Sequence, residues 1–445
     1  MSSKHFAVKA HILPGQYIRE YPGATLDSQE DDLRLHIKQY TPLERELSRS
    51  QSITIIGTHA NGFPKELYEP LWDEVYLQAK ACGVSIGSIW IADVVQQGHS
   101  SVLNEDKLGS DPSWDDHPRD LLHMINHFRA EMPRPIVGIG HSMGGSALVN
   151  LSIMHPRLLT TLVLIDPVFQ LNPVAPGEGN HSNYARLSTF RRDLWPSRSV
   201  AADSFQKSPF YKTWDPRVLS LWNRFALREL PTALYPDYPA PTPNRKPKGN
   251  ETKSKLVSTP ERPVTLTTTK HQEVFTFLRP NFPTPGQPVL NRTTHPDLDP
   301  LVPPESLYPF YRPESAFTFH RLPNLRPSVL YIFGGSSDIS PPQWRKDKLE
   351  ATGIGVGGSG GAKEGKVKGV TLEDVGHLIP MVVPKLCAEK AMEWLAPEMS
   401  RWREQEEKWT GEWKAAGTRE RQVLSEEYKK KIGGGQRSKT TSEKL

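Results

Sequence analysis

Short, wholly apolar runs alternate along this chain with segments whose apolar residues recur every three or four positions. SITIIG (52–57), IGSIWIAD (86–93), PIVGIG (135–140), TLVLID (161–166) and SVLYIF (328–333) have strand length. They are apolar throughout rather than at every second position, which predicts strands buried on both faces. KVKGVTLE (366–373) continues the series. Helical spacing fills the intervals at about 64–80, 113–132, 142–156 and 383–409, and SWDDHPRDLL opens the second of these with Ser and Asp capping candidates. Strands alternating with helices predict an α/β domain whose mostly parallel sheet carries helices on both faces. FAVKAHIL (6–13) and LRLHIKQY (33–40) predict an antiparallel pair leading into that sheet.

Proline marks the boundaries. Of 41 prolines, 25 lie between 167 and 326, about a third of the chain. Proline interrupts helix interiors and central strands, so short helices and long irregular connections are expected there. The expected organisation is a core in two segments, 1–166 and 327–410, a large cap inserted at 167–326 and a charged tail at 411–445. RKPKGNETKSK (245–255) reads as a disordered surface loop and GGGQRSKTTSEKL as a flexible end. No internal repeat is evident.

Composition narrows the classes. Apolar residues at 36% and aromatics at 9% suffice for a core and exclude wholesale disorder. No apolar run approaches the roughly 18 residues of a membrane-spanning helix. The N-terminal segment MSSKHFAVKAHILPG lacks an uninterrupted apolar stretch, so no secretory signal is expected. Two distant cysteines, Cys82 and Cys387, exclude a disulfide scaffold and suit a reducing compartment. Without CxxC or HExxH spacing, no metal is expected. Of the net charge of +5, residues 401–445 supply +4, from 12 Lys/Arg against 8 Asp/Glu. The rest is nearly neutral, which leaves no concentrated basic face for nucleic acid. Gly353–Gly358 matches G-x-G-x-x-G, but no strand directly precedes it and no helix directly follows. It reads as a flexible loop, and no cofactor is expected.

The chemistry concentrates in Gly140-His141-Ser142-Met143-Gly144, a G-x-S-x-G set between a predicted strand and a predicted helix. Small residues two positions either side of the serine permit a sharp reversal that lifts its hydroxyl above the sheet edge. The helix start then places backbone N–H groups near a reacting carbonyl. Serine needs a base. His377, in Asp374-Val375-Gly376-His377-Leu378 after the last strand, has the right place, and Gly376 suits a tight loop. Two acids keep the chain order Ser, Asp, His: Asp166 at the end of TLVLID and Asp338 after SVLYIFGG. The bland alternatives are a structural Asp before proline and a turn residue in GSSD. The backbone N–H groups of Asn61, in His59-Ala60-Asn61-Gly62, and of Met143 are assigned to an oxyanion hole.

Longer strings carry a resemblance. GIGHSMGG, PKELYEPLWDE, the succession NEDKL, SWDDHPRDLL and MINHFR, RPIVGIGHS, LIDP, YRPESAF and GIGVGGSGG resemble a fungal peroxisomal α/β-hydrolase group. It includes the acyl-CoA hydrolase of mycophenolic acid biosynthesis and the AK-toxin-type hydrolases of host-selective toxin clusters. The resemblance runs from HILPGQYIREYPG to the basic tail. It implies the α/β-hydrolase fold and a Ser-His-Asp enzyme cleaving acyl-CoA thioesters in secondary-metabolite biosynthesis. It puts the nucleophile on Ser142, the base on His377 and the acid on Asp166, with Asp338 in reserve. It also suggests a homodimer and a peroxisomal matrix location, with the cytoplasm as the alternative. The sequence closes on Glu443-Lys444-Leu445, where Lys and Leu match a peroxisomal import tripeptide and Glu departs from its usual small residue. An import receptor is the partner expected there. A carboxylester hydrolase or lipase would use the same triad. A binding protein on the same fold usually lacks a triad member, and none is missing here. Phe205, Phe210, Tyr211, Trp214, Trp222 and Phe225 are candidates either for an acyl pocket or for the cap's own core.

Overall fold

Strands β1 (Phe6–Pro14) and β2 (Arg34–Pro42) form an antiparallel pair. β3 (Ile53–Thr58), β4 (Ile86–Ala92), β5 (Ile136–His141) and β6 (Thr161–Ile165) follow, with helices Glu69–Ala81, Asp116–His127 and Met143–Met154 between them. Next come five short strands, β7 (Leu194–Trp195), β8 (Leu227–Glu229), β9 (Val264–Leu266), β10 (Arg279–Pro280) and β11 (Phe310–Tyr311). β12 (Ser328–Gly334) and β13 (Val367–Leu372) then return to the main sheet. These assignments come from a computed structural model that describes residues 3–44, 52–170, 182–237, 261–282, 297 and 309–433. The segments 245–255 and 434–445, with Glu443-Lys444-Leu445, lie outside the described residues.

The sheet runs in the order β1-β2-β4-β3-β5-β6-β12-β13. Every pairing from β4 to β13 is parallel, and β2 joins β4 antiparallel. All residues of β3, β5, β6 and β12 are buried, as expected of strands covered on both faces. Of the edge strands, β1 is largely exposed and β13 is buried at both ends and partly exposed between them. The parallel strands end at one edge of the sheet, the usual place for a ligand site. Ser142, Asp166 and His377 follow β5, β6 and β13 there.

Helix Met143–Met154 is deeply enclosed, with every residue from Met143 to Ser152 buried. It packs on β5, on Asp116–His127 and on helix Pro313–Arg321. The capping residues expected before Asp116–His127 are used otherwise. Asp115 accepts a hydrogen bond from Asn150 Nδ2 at 3.1 Å, and Ser113 Oγ donates to Glu314 at 3.0 Å.

Between β6 and β12 the described chain forms short helices and, beyond expectation, a three-stranded sheet ordered β7-β9-β8. Three of the helices begin with a side-chain cap: Ser197 on Val200 N–H, Asp215 on Arg217 N–H and Thr269 on Gln272 N–H. Phe205, Tyr211, Trp214 and Trp222 cluster with ring centroids 4.9–6.0 Å apart. Phe63, from the loop after β3, packs on Trp214 and Trp222. The glycine-rich 353–361 segment is not the flexible loop its composition suggested. The backbone N–H groups of Gly353, Gly355 and Ser359 bond to the carbonyls of Leu322, Pro323 and Leu325, and Gly353, Gly357, Gly360 and Gly361 adopt positive φ. Glycine serves there to shape a tied loop.

Two compact units emerge, Met1–Ala396 and Pro397–Leu445. The sheet belongs to the first. In the second, the end of helix Pro384–Ala415 stacks Trp409 on Trp413, and helix Glu426–Lys431 follows. Among the described residues no helix is long and apolar enough to cross a membrane.

Three histidines, His59, His117 and His141, are buried in the first unit. Burial pushes all three imidazoles down, His117 and His141 to about 3. The unfolded chain takes up protons near pH 6.5, whereas the folded chain resists them until far lower. The contribution of these imidazoles to stability is therefore complete above about pH 6.5 and is lost as the pH drops. Each buried imidazole contributes up to about 1.4 kcal/mol per pH unit in that window. Both ring nitrogens of His117 lack a partner among the described residues. Urea unfolding at pH 7.5 and 5.5 should show wild type losing stability and His117→Leu losing less. An equal loss in the two proteins would refute the assignment.

Candidate active site

β5 ends in a reversal that depends on two close approaches. A side chain at Gly140 would meet Thr58 Oγ1 at 2.6 Å, and one at Gly144 would meet the Thr58 carbonyl at 2.7 Å. With both positions bare, the start of helix Met143–Met154 lies against the end of β3. Thr58 Oγ1 donates to the Gly144 carbonyl at 2.9 Å. Between the glycines Ser142 is driven to φ 57° and ψ −121°, a region that L residues rarely adopt. Its N–H bonds to the Ile165 carbonyl at 2.9 Å. The constrained backbone points Oγ out of the turn toward His377.

His377 Nε2 lies 2.9 Å from Ser142 Oγ, and its Nδ1 lies 2.7 Å from Asp166 Oδ2. A carboxylate only accepts, so Nδ1 carries the proton and Nε2 accepts from the serine hydroxyl. Asp166 is fully buried and also has positive φ, 41°. Burial alone would raise its carboxyl. The hydrogen bond and charge of His377, the Ser337 hydroxyl at 2.6 Å and the Gly334 N–H at 3.2 Å outweigh burial and hold it below the ordinary carboxylate value. Asp338 lies apart from this line. Its exposed carboxylate accepts the Tyr184 hydroxyl.

The loop after β3 has three successive N–H groups. That of Ala60 donates to Tyr68 Oη at 2.8 Å and that of Gly62 to Gln97 Oε1 at 2.8 Å. That of Asn61 has no acceptor among the described residues, and neither has that of Met143 at the helix start. The Asn61 side chain is fixed from both ends, donating to the Glu273 carbonyl at 3.0 Å and accepting from Gln97 Nε2 at 2.6 Å. Glu273 in turn accepts from Ser188 Oγ at 2.6 Å and Arg191 at 2.8 Å. Its side chain packs on Gly62, where a Cβ would lie 2.8 Å from Cδ.

Ser142, Met143, Asn61 and His377 open on one cavity of about 1050 Å³. Phe210, Tyr211 and Trp222 of the aromatic candidates line it, joined by Phe63, Trp114 and Trp344. Phe205 and Trp214 are buried away from its wall, and Phe225 is not on it. Among the described residues no cluster of His, Cys, Asp and Glu is arranged to hold a metal ion. The arrangement brings a serine hydroxyl, an imidazole, a carboxylate held below its ordinary value and two N–H groups without an acceptor among the described residues to one aromatic chamber, a set suited to acyl transfer.

Several residues of this site escaped sequence reading. Ser337 was legible only as part of a turn in GSSD. Gln97 and Glu273 carry no motif, Tyr68 lies unremarked within PKELYEPLWDE, and the three are brought to the loop after β3 only through the fold. His141 stood in plain view inside G-x-S-x-G, at a position the motif leaves free.

A model of the alpha/beta hydrolase family matches residues 58–272. The chain is 45% identical over 417 residues, 92% of each protein, to the type I acyl-CoA thioesterase mpaH of Penicillium roqueforti (strain FM164). It is 26% identical over 268 residues to the abhydrolase domain-containing protein AKT2 of Alternaria alternata, covering 59% of this chain and 84% of that one. Among solved structures, the peroxisomal alpha-beta-hydrolase Lpx1 of Saccharomyces cerevisiae superposes with a TM-score of 0.64 at 17% identity, covering 97% and 96% of the two chains. The last is a likeness of fold.

The reversal makes a direct prediction. Gly144→Ala places a methyl group against the Thr58 carbonyl and His59 O, both backbone atoms with little room to move. It should cost about 1–3 kcal/mol in urea unfolding. At Gly376 a Cβ would meet nothing within 4 Å, so Gly376→Ala should leave stability unchanged. Equal stabilities for the two variants would refute the close-packing argument.

Proposed function

The chain belongs to the α/β-hydrolase family and is a hydrolase, and from that premise we propose that it cleaves acyl-CoA thioesters through an acyl-enzyme on Ser142. The observation that carries the mechanism is the continuous hydrogen-bonded line Ser142–His377–Asp166 at the wall of an aromatic cavity. Support for the thioester comes from the 45% identity, over 92% of both chains, to a protein named as an acyl-CoA thioesterase. A place in fungal polyketide or toxin biosynthesis goes with this reading, on the group the sequence resembles.

In the proposed cycle His377 Nε2 takes the Ser142 proton as Oγ attacks the thioester carbonyl. The oxyanion that forms is met by the Asn61 and Met143 N–H groups. Each such donor is worth about 100- to 1000-fold in rate. Asp166, ionised and hydrogen-bonded to Nδ1, holds the ring in the productive tautomer and stabilises the imidazolium. The tetrahedral intermediate collapses, the C–S bond breaks and CoA leaves as the thiol, carrying the proton that His377 Nε2 took from Ser142. Water, deprotonated by His377, then attacks the acyl-enzyme, the acid departs and Ser142 regains its proton. The acyl group lies along Phe210, Tyr211 and Trp222, where burial of apolar surface supplies binding.

Thiol release from a panel of acyl-CoAs tests this reading. Wild type should release thiol, and Ser142→Ala should not. If wild type cleaves p-nitrophenyl esters but no acyl-CoA, the enzyme is a carboxylester hydrolase. If it cleaves neither, it is a binding protein on this fold. The acid is tested separately. Asp166→Asn should lower kcat by about 10⁴-fold, whereas Asp338→Asn, which removes a charge but keeps an oxygen to accept the Tyr184 hydroxyl, should stay within about twofold. The reverse order would move the acid to Asp338. A peroxisomal setting is part of the proposal. The full-length chain, fluorescently tagged at its N-terminus, should co-localise with a peroxisomal marker, and a diffuse cytoplasmic signal would overturn that part.

A further inference from the structure

His141 is fully buried beside the nucleophile and is not part of the triad. The bland reading of such a residue is a core histidine whose nitrogens have found partners. Its partners here tell more. Nε2 lies 2.9 Å from the backbone carbonyl of His377, and Nδ1 lies 2.8 Å from Tyr68 Oη. A carbonyl only accepts, so Nε2 carries the proton and Nδ1 accepts from the Tyr68 hydroxyl. Tyr68 Oη itself accepts the Ala60 N–H at 2.8 Å. The direction of every bond is therefore fixed, from Ala60 N–H through the phenol and the imidazole to the carbonyl of the base.

This line crosses the sheet edge. It starts in the loop after β3, which holds Asn61, and ends in the loop after β13, which holds His377. In the sheet β5, β6 and β12 lie between those strands. Among the described residues no backbone hydrogen bond joins the two loops. Tyr68 stands in the 3₁₀ turn Lys65–Tyr68, fully buried, and His141 is the last residue of β5, so both are mounted on rigid elements. Both stay in the required state. Burial raises the phenol well above its usual value and keeps the imidazole neutral.

We infer that Tyr68 and His141 form a hydrogen-bonded strut that sets the distance between the oxyanion loop and the base, and that they are positioning residues for the reaction. The inference rests on the proposed serine-hydrolase mechanism. His377 has to serve Ser142 and Asp166 at once, and displacing its backbone moves the ring off both. Preorganisation of this kind acts on the chemical step and leaves substrate affinity nearly alone.

The test compares wild type with Tyr68→Phe, His141→Leu, His141→Gln and the Tyr68→Phe/His141→Leu double variant. Active sites are counted by titrating Ser142 with a fluorophosphonate. Turnover per titrated site is followed on octanoyl-CoA and on p-nitrophenyl octanoate. Tyr68→Phe and His141→Leu should each lower kcat per site about 10- to 100-fold, with KM within about twofold. The double variant should be no slower than the slower single one, because both break the same line. Glutamine, whose side-chain amide can donate to the His377 carbonyl, should recover part of the loss. Unchanged kcat per site alongside lower melting temperatures would make the pair merely structural and overturn the inference, as would multiplicative effects in the double variant. Activity on the ester alone would overturn the thioester reading and leave the strut measurable. A wild-type Ser142 that the fluorophosphonate fails to label would overturn both.

Discussion

The site hangs on the reversal of the chain at Ser142. L residues avoid the backbone angles found there, and such a residue costs about 1–3 kcal/mol unless its surroundings hold it. The surroundings are three buried parallel strands. Ser142 N–H bonds to the end of β6, and Asp166 N–H bonds to Ile332 in β12. Asp166, one strand over, is itself in positive φ. The sheet thus imposes unfavourable backbone at two adjacent strand ends, and both carry members of the proposed triad. Glycines 140 and 144 make the first of these possible by letting helix Met143–Met154 touch β3. The same contact puts the Met143 N–H beside the loop that carries Asn61. The geometry of the proposed nucleophile and that of the proposed oxyanion hole are two consequences of one packing contact.

The segment between β6 and β12 is more than a roof. Glu273 lies on helix Lys270–Phe277, in the proline-rich stretch, and its carbonyl accepts from the side chain of Asn61. Its carboxylate accepts from Ser188 and Arg191 on and just beyond helix Ser182–Phe190. The loop that carries the Asn61 N–H is therefore braced against the wall of the aromatic chamber. In the proposed reaction, contacts between substrate and that wall reach the hole through two hydrogen bonds. Remote binding energy can in this way support the transition state instead of only tightening the ground state.

What was legible in the sequence follows the range of the interactions. The eight-stranded core could be read because each buried strand is a local run with its own apolar signature. Ser142 and His377 could be read because chain order and strand ends locate them. The candidate oxyanion donors, Asn61 and Met143, were placed by the same reasoning. The β7-β9-β8 sheet could not be read, since strands of two or three residues among prolines carry no periodicity. The 353–361 loop misled because glycine enrichment signals both looseness and tight backbone approach. Only the carbonyls of Leu322, Pro323 and Leu325, distant in sequence, decide between the two. The residues that brace the site were invisible for a like reason. A hydrogen bond between Gln97 and Asn61, or between Ser337 and Asp166, leaves no spacing to detect.

The two candidate acids show why sequence alone left the choice open. Both stand just past the end of a central strand, and the strands are neighbours. The loop after β12 does serve Asp166, but with donors: Gly334 N–H and Ser337 Oγ both bond to its carboxylate. A carboxylate at the end of β6 with donors from β12 satisfies His377 and remains charged while fully buried. A carboxylate placed on the β12 loop itself would give up the Ser337 and Gly334 bonds that offset burial. Asp338 instead takes the exposed edge of that loop, where solvent and Tyr184 meet its needs. Asp166 sits where desolvation is balanced by three donors, which favours it as the proposed acid, and the neighbouring Asp338 is left to the surface.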